Sequence, residues 1–261
     1  MRKDITLPSL RRFNWLMGAL HLIQGTLMLV FSLTVDKIKD FRTPLRTYFL
    51  TFDTNLMRLV TEPKEAGTLP FGILVSSFLF LSALAHFVIA APGTNRVYNE
   101  NILRGMNPFR WYEYALSSSV MIVLIANLFG VFAVDTLIAI FLLNASMNLF
   151  GYAMEKVNQG AAKTSWSSFV FGSIAGLGPW IVVALNAFGN SDLGEIPWFV
   201  FAITFSYFFF FNLFPVNMFL QYKKVGRWSN YLYGERAYIV LSLVAKSVLA
   251  WLVFAGVMQP Q

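Results

Sequence analysis

The sequence lacks cysteine altogether and contains few charged residues. Without a thiol, the chain can form no disulfide, no thiolate nucleophile and no cysteine-based metal site. Only 13% of its 261 residues are charged, whereas a soluble domain carries about a quarter. Hydrophobic residues make up 57% of the chain, in blocks long enough to cross a ~30 Å hydrocarbon layer. These features exclude an ordinary soluble domain and indicate an integral membrane protein.

Seven apolar segments are predicted to be transmembrane helices, separated by connections with Pro and Gly punctuation. They cover approximately residues 13–35, 70–92, 106–130, 132–155, 165–188, 196–221 and 235–257. The first segment follows Arg11 and Arg12, as the apolar region of a signal peptide would. It is longer than the ~7–15 residues of such a region and has no small-residue cleavage site after it, so we expect it to be retained. The sequence therefore predicts a single all-α membrane domain over residues 1–261.

The connection between the first two predicted helices, residues 36–69, is long for a compact domain. Residues 47–52 within it are β-branched or aromatic, which predicts a short strand or hairpin. We expect a small β-containing cap on the extracellular side.

The distribution of basic residues predicts the orientation of the bundle, because cytoplasmic loops are enriched in Lys and Arg. The basic residues on the side of the N-terminus are Arg2, Lys3, Arg11, Arg12, Arg96, Arg104, Arg110, Lys156, Lys163, Lys223, Lys224, Arg227 and Arg236. The other side has basic residues only in the first connection, where acidic residues are mixed with them. We expect a cytoplasmic N-terminus and an extracellular C-terminus in the cell membrane. The net charge of +7 then reflects loops that face anionic lipid, and we expect no nucleic acid partner.

Lys246 is the one basic residue that falls well inside a predicted helix. A charged lysine at that depth costs several kcal/mol unless it is paired, neutralised or modified. It is also too deep to extend its amine easily to either surface. A structural ion pair is one interpretation, and a functional lysine is the one we favour. Glu113 in the third helix is placed to pair with it, whereas Asp135 and Glu155 lie near the ends of the fourth helix, where they can reach water.

The two histidines, His21 and His86, both fall in the cytoplasmic half of their helices. A single membrane histidine usually makes a helix-to-helix hydrogen bond. Two of them level with Glu113 and Lys246 predict a shared polar cavity. A metal site of two histidines and a glutamate is an alternative, but the spacing contains no local metal motif, and we expect no metal.

A buried lysine can form a Schiff base with a carbonyl ligand. Retinal is the membrane-soluble aldehyde that seven helices commonly enclose, and Glu113 can supply the counter-ion for a protonated Schiff base. The rest of such a pocket is expected to be an apolar slot with aromatic walls. Trp180 in the fifth helix and one face of the aromatic run at residues 205–214 are the candidates for those walls.

Three stretches of the sequence carry a family resemblance. They are Phe109-Arg110-Trp111 with Glu113-Tyr114 and the serines at 117–119, then Asn144-Ala145-Ser146-Met147, and finally residues 228–247. These stretches resemble the heliorhodopsins, which are retinal photoreceptors with a cytoplasmic N-terminus, inverted relative to other microbial rhodopsins. The similarity runs from the first helix to the last and is weakest in the first connection. The charge distribution favours the same orientation independently.

The resemblance implies a rhodopsin-like bundle with all-trans retinal covalently attached to Lys246 and Glu113 as the single counter-ion. Homodimer formation and a slow photocycle are also implied. His21, His86 and Ser82 match a polar cavity on the cytoplasmic side of the Schiff base, and Ser242 matches a serine near it. Candidates for the same region or for the retinal slot are Ser117, Asn144, Met147, Trp180 and Phe211, with Arg110 and Glu155 as polar groups on the cytoplasmic side.

The chain departs from outward proton pumps at two positions. Such pumps carry a carboxylate one turn before the retinal lysine, where this chain has Ser242. They carry another eleven residues after the counter-ion, where this chain has Leu124. A vectorial relay needs exchanging groups on both sides of the Schiff base. We therefore expect a light sensor without catalytic activity, which signals to a cytoplasmic partner through loops such as the one at Lys223.

Two other functions stay open at this point. One is a light-gated proton channel or weak transporter. The other is a transporter without a chromophore, in which Lys246 and Glu113 form an ion pair.

Overall fold

The structure is a computed structural model that describes residues 5–189, 194 and 198–258. Arg2, Lys3 and the beginning of the sixth predicted span, at 196–197, lie outside these residues. In chain order the elements are α1 (Leu7–Thr34), α2 (Asp36–Lys39), β1 (Arg42–Asp53), β2 (Arg58–Pro70), α3 (Phe71–Ala90), α4 (Pro92–Leu103), α5 (Pro108–Leu128), α6 (Val134–Val157), α7 (Ser167–Phe188), α8 (Trp198–Tyr222) and α9 (Tyr231–Val257).

The predicted seven-helix membrane fold is confirmed. Six of the long helices are long and apolar enough to cross a membrane, and α5 is the seventh long helix. The composition of α5 is more polar because it carries Arg110, Glu113 and the serines at 117–119.

Two helices begin earlier than the hydropathy of the sequence predicted, because local caps extend them. Thr6 caps α1: its side chain accepts a hydrogen bond from the Ser9 N–H, and the Ser9 hydroxyl accepts one from the Thr6 N–H. Asn230 caps α9 by accepting from the Leu232 N–H. These polar first turns have little hydropathy, so a search for apolar runs places the start of each helix too late.

The helices pack mainly against their sequence neighbours. α1 lies along α3, α5 along α6, α6 along α7 and α8 along α9, while α3 also contacts α5. The close approach of α5 and α6 depends on Gly151, because the Trp111 indole occupies the space that a Cβ would need there.

The first connection forms an antiparallel hairpin, which confirms the predicted β-containing loop. β1 and β2 pair from Arg42↔Pro70 to Asp53↔Arg58, and the Asp53 carboxylate accepts hydrogen bonds from two backbone N–H groups of the turn. The Arg46 N–H donates to the Phe132 carbonyl at 2.8 Å, which ties the base of the hairpin to the bundle. We call this end of the bundle the hairpin end and the opposite one the α4 end.

The two halves of the bundle differ in polarity. The hairpin half has an apolar core to which all the long helices contribute, with buried residues such as Met28, Val75, Ile125, Leu137 and Val253. Among the described residues, no buried Asp, Glu, His, Lys or Arg lies between Lys246 and the hairpin end. The buried charged side chains all lie at Lys246 or toward the α4 end.

Candidate functional site

Lys246 lies in the middle of α9 and makes three polar contacts inside the bundle. Its Nζ donates to Glu113 Oε1 at 2.6 Å, to Ser82 Oγ at 2.6 Å and to Ser242 Oγ at 3.1 Å. Ser82 in turn donates to Glu113 Oε1 at 2.7 Å. An ammonium has three protons to donate, so all of them find acceptors here.

The Lys246–Glu113 pair is buried, with 4% and 8% of the two side chains exposed. Taking two charges out of water is costly, and the mutual attraction offsets that cost only when the geometry and the surrounding hydrogen bonds are good. α3, α5 and α9 supply these hydrogen bonds together, so the pair depends on the tertiary fold. Ser117, one turn after Glu113, is also buried, although no described residue accepts or donates a hydrogen bond at its hydroxyl.

The two histidines lie next to each other near this pair. The rings of His21 and His86 are stacked, with centroids 5.5 Å apart and an interplanar angle of 15°. His86 Nδ1 lies 2.7 Å from Asn14 Oδ1, whereas the ring nitrogens of His21 make no hydrogen bond to the described residues. A cavity of about 20 Å³ is lined by His86, Glu113 and Ser242, among others. The structure thus brings the predicted polar residues into one layer.

A larger cavity, of about 280 Å³, begins at Lys246 and extends between α5, α6, α7 and α8. Its walls are mostly apolar and aromatic. Met147, Trp180 and Phe211 line it as the sequence predicted, together with Trp111, Tyr114, Met121, Phe208 and Phe214. The Trp180 ring lies edge-on to Phe208, with centroids 5.0 Å apart, and this contact joins α7 to α8. The remaining aromatic residues of α8 that are exposed, such as Phe205 and Phe209, point away from the bundle.

Asn144 takes a different position from the one expected for it. It does not line the described part of the slot, because its amide donates to Ser118 Oγ at 2.7 Å and to Ser119 Oγ at 3.0 Å. Asn148, one helical turn further along α6, lines the slot and also donates to Ser118 Oγ, at 3.0 Å. Asn144 therefore joins α6 to α5 behind the slot wall.

The expectation that Glu155 can reach water was wrong, and Arg110, predicted as a polar group on the same side, is buried beside it. Both are buried, and they form an ion pair with each other, while Arg110 also pairs with Glu235. α5 begins at Pro108 with Asn107 as its cap, which sets Arg110 in a first turn that faces the bundle. Lys246 is thus one of two buried cations among the described residues.

Arg110, Glu155 and Glu235 form a second buried cluster. The sequence analysis missed Glu235 and the residues that surround this cluster. Glu235, Asn107 and Tyr98 are buried there, and Tyr98 sits on α4, which covers the cluster. Burial, reinforced by the neighbouring Glu235 carboxylate, raises the pKa of Tyr98 well above its usual value, so its hydroxyl keeps its proton. One signal was available: Glu235 precedes Lys246 by about three helical turns and therefore lies on the same face of α9.

The comparison with known families decides what this site belongs to. A family model described as Heliorhodopsin matches residues 10–258. The chain belongs to the heliorhodopsin family. No curated protein matches the chain significantly in sequence. Membership of this family indicates that the chain is a multi-pass membrane protein of the kind that binds retinal and senses light.

The residues present in this heliorhodopsin fit the retinal that its family implies. The slot offers apolar walls of matching character, and Lys246 is the one basic residue among the described residues that line it. A carboxylate, Glu113, lies within hydrogen-bond distance of the lysine amine. Lys246 would hold the group, with Met147, Trp180 and Phe211 along its length.

Proposed function

We propose that this heliorhodopsin is a light sensor that carries all-trans retinal as a protonated Schiff base on Lys246. The observation that carries the proposal is the position of Lys246, whose amine meets both the end of an apolar slot and a buried carboxylate. Retinal, when bound, supplies the absorption of visible light and the isomerisation that follows. The chain's own residues supply the charge, the proton sites and the shape.

Glu113 is the proposed counter-ion. Its carboxylate lies 2.6 Å from Nζ and stabilises a proton there, because an opposite charge in a buried site favours the charged form of its partner. Ser82 and Ser242 hold the geometry from α3 and α9. Among the described residues, no second carboxylate contacts Nζ.

The polarity of the bundle supports sensing over pumping. On the hairpin side of Nζ, Met121, Ile122, Leu124 and Ile125 are fully buried in an apolar core. On the other side lie Glu113 and the two histidines. A proton that leaves Nζ therefore has acceptors in one direction, and it can return by the same route without crossing the membrane.

The proposed output is a change in charge within the Glu113–histidine layer. His86 is tied to Asn14 of α1, and Glu113 to Ser82 of α3, so a proton shift in this layer alters contacts between three helices. Such a change can bias a rearrangement that a cytoplasmic partner reads. We propose that the proton returns within this enclosed layer and that the photocycle is slow, as the family resemblance implies.

The first test is the visible spectrum of the protein expressed with all-trans retinal, measured beside Lys246→Ala. We expect a visible band in the wild type that Lys246→Ala lacks. The matched control is Lys163→Ala, which removes an exposed lysine and should leave the band unchanged. A colourless wild type in a folded, monodisperse preparation would contradict the proposal and favour a chromophore-free transporter with a Lys246–Glu113 ion pair.

A light-gated proton channel is the second candidate, and one observation favours it. The cavity of about 20 Å³ lies between Glu113 and the Arg110–Glu235 pair. Polar groups therefore extend from Glu113 toward the α4 end of the bundle. Patch-clamp recording under illumination separates the two functions, because a sensor gives no light-dependent current across a pH gradient.

A homodimer is part of the proposal, and the hairpin supports it. Side chains alternate between the two faces of a strand pair. From Tyr48 to the turn, one face carries only uncharged side chains: Tyr48, Leu50, Phe52, Leu59, Thr61 and Pro63, and the charged pair Arg46 with Glu65 lies beyond them at the base of the hairpin. The opposite face of this part of the hairpin carries the charged residues Glu62 and Lys64 and the pair Asp53 with Arg58. The uncharged face is largely exposed, and an exposed apolar patch of this kind usually marks an interface. A second copy of the chain is the partner that the family resemblance implies.

A further inference from the structure

The buried cluster at the α4 end carries an unbalanced charge if all its groups ionise. Arg110 is paired with two carboxyl groups, Glu155 and Glu235, and all three residues are buried. Lys246 and Glu113 neutralise each other elsewhere, so no other Lys or Arg among the described buried residues is left to balance the second carboxylate. An uncompensated buried charge is costly enough that a group usually changes its protonation state instead.

We infer that one of the two carboxyl groups of the cluster is protonated at neutral pH and that this group is Glu235. The inference concerns a proton site that the light-sensing reaction of Lys246 and Glu113 does not itself require.

The hydrogen bonds distinguish the two carboxyl groups. Glu155 accepts from four donors: Arg110, the Asn107 N–H, the Trp111 indole N–H and the Tyr231 hydroxyl. Four donors fill the acceptor positions of an ionised carboxylate. The Asn107 N–H also belongs to the N-terminus of α5, where the helix dipole favours a negative charge. Glu155 is therefore the better-stabilised anion.

Glu235 has fewer donors and an open position. The Tyr98 hydroxyl and the Asn107 amide donate to its Oε1, at 3.2 and 2.7 Å, and Arg110 donates to its Oε2. One acceptor position on Oε2 is left without a donor from the described residues, and a proton can sit there. Of the two carboxyl groups, only Glu235 lines the described cavity of about 20 Å³.

The same cavity connects this proton to the lysine layer. Its lining includes Glu113 and His86 as well as Glu235 and Arg110, and its volume is enough for about one water molecule. Glu235 and Glu113, the proposed counter-ion, therefore line the same small cavity. This step rests on the proposed function. When the charge of Glu113 changes during the light reaction, the protonation of the Glu235 carboxyl group is expected to change with it.

The charged and titratable groups around Glu235 define the competing arrangement. They are Arg110 and Glu113 of α5, Glu155 of α6, Tyr98 of α4, His86 of α3, and Tyr231 and Tyr238 of α9. Of these, His86 is the one group that could supply the missing positive charge as an imidazolium. Three ionised glutamates with a charged His86 would therefore contradict the inference.

Carbon-13 NMR of the full-length protein, labelled at the glutamate carboxyl carbons, tests the inference at neutral pH. We expect one carboxyl resonance with the shift of a protonated acid, whether or not retinal is bound. It should disappear in Glu235→Gln and persist in Glu62→Gln, a change on the exposed hairpin. If every carboxyl is ionised in the wild type, or if nitrogen-15 shifts show His86 as an imidazolium, the inference fails.

Two milder variants assign the resonance even if Glu235→Gln does not fold. The Tyr98 hydroxyl contacts Glu235, and the Tyr231 hydroxyl contacts Glu155. Tyr98→Phe should therefore shift the protonated resonance, and Tyr231→Phe should leave it in place. The reverse pattern would assign the proton to Glu155 and overturn the assignment. Because this measurement needs no light, a colourless protein would refute the proposed function without affecting it.

Discussion

Glu113 combines two roles that a single substitution can separate. Its Oε1 atom accepts hydrogen bonds from both Lys246 and Ser82, and its negative charge balances the lysine cation. A glutamine in its place keeps an acceptor oxygen but removes the charge. The hydrogen-bond geometry and the electrostatics can then be told apart by experiment.

The first prediction is that Glu113→Gln shifts the visible absorption to the red or makes the colour fade near neutral pH. A negative counter-ion keeps the excitation energy of the protonated chromophore high and stabilises its proton. Absorption spectra recorded over a pH series measure both effects. The control is Asp135→Asn, which neutralises an exposed carboxylate in the first turn of α6. Assignment of Glu113 as counter-ion would be wrong if its spectrum and pH dependence matched the wild type.

Single residues also show what the sequence could reveal about the site. Lys246 and Glu113 were predictable because each is a charge surrounded by apolar residues in one helix. The burial of Glu155 and Glu235 was not predictable, although Glu155 was named as a candidate, because each lies near a helix end that hydropathy places at the membrane surface. Their burial comes from Tyr98 of α4 and from the bonds to Arg110, and these tertiary contacts leave no periodic signal.

The α5–α6 contact links the packing of helices to the site. Gly151 of α6 faces the Trp111 ring. The Trp111 indole N–H donates to Glu155 at 2.6 Å, and the ring lines the large slot. One glycine thus allows a single indole to serve both the buried cluster and the slot wall.

Gly151→Ala is expected to destabilise the protein by about 1–3 kcal/mol, since a Cβ there would overlap the Trp111 ring. The displaced indole should also move the absorption maximum. Thermal unfolding and the visible spectrum measure these two effects together. Gly93→Ala, in the first turn of α4 where a Cβ meets no other atom, is the matched control. Equal stability of the two variants would show that α5 and α6 can separate without cost.

The elements themselves were predictable to different degrees. Continuous apolar runs placed the long helices within a few residues, apart from the capped starts of α1 and α9. In the hairpin, residues 47–52 carried a strand signal, whereas β2 contains Pro63 and Gly67 and has little intrinsic preference for a strand. β2 is extended because β1 pairs with it along its length, so its structure depends on a partner strand that propensity does not include.

Across the whole molecule, the uncharged face of the hairpin is the surface that a second copy is proposed to cover. The double substitution Leu50→Lys with Phe52→Lys should convert a dimer into a monomer, because two charges would be buried without partners. Molecular mass in detergent, from light scattering or native mass spectrometry, gives the readout. Thr47→Lys with Thr51→Lys adds the same charge on the opposite face and should leave the dimer intact. A monomeric wild type, or a dimer that tolerates the first pair, would contradict this assignment.

The excess of basic residues at the α4 end predicts a cytoplasmic N-terminus, and the absence of native cysteine makes this orientation directly measurable. Thr54 in the hairpin turn and Lys163 between α6 and α7 are both exposed, at opposite ends of the bundle. With a single cysteine at either position, a membrane-impermeant maleimide added to intact cells should label Thr54→Cys and leave Lys163→Cys unlabelled until the cells are permeabilised. The opposite pattern would place the N-terminus outside. The polar layer beside Lys246 would then face the exterior, and a proton leaving Nζ would move away from the cytoplasm, where the proposed signalling partner binds.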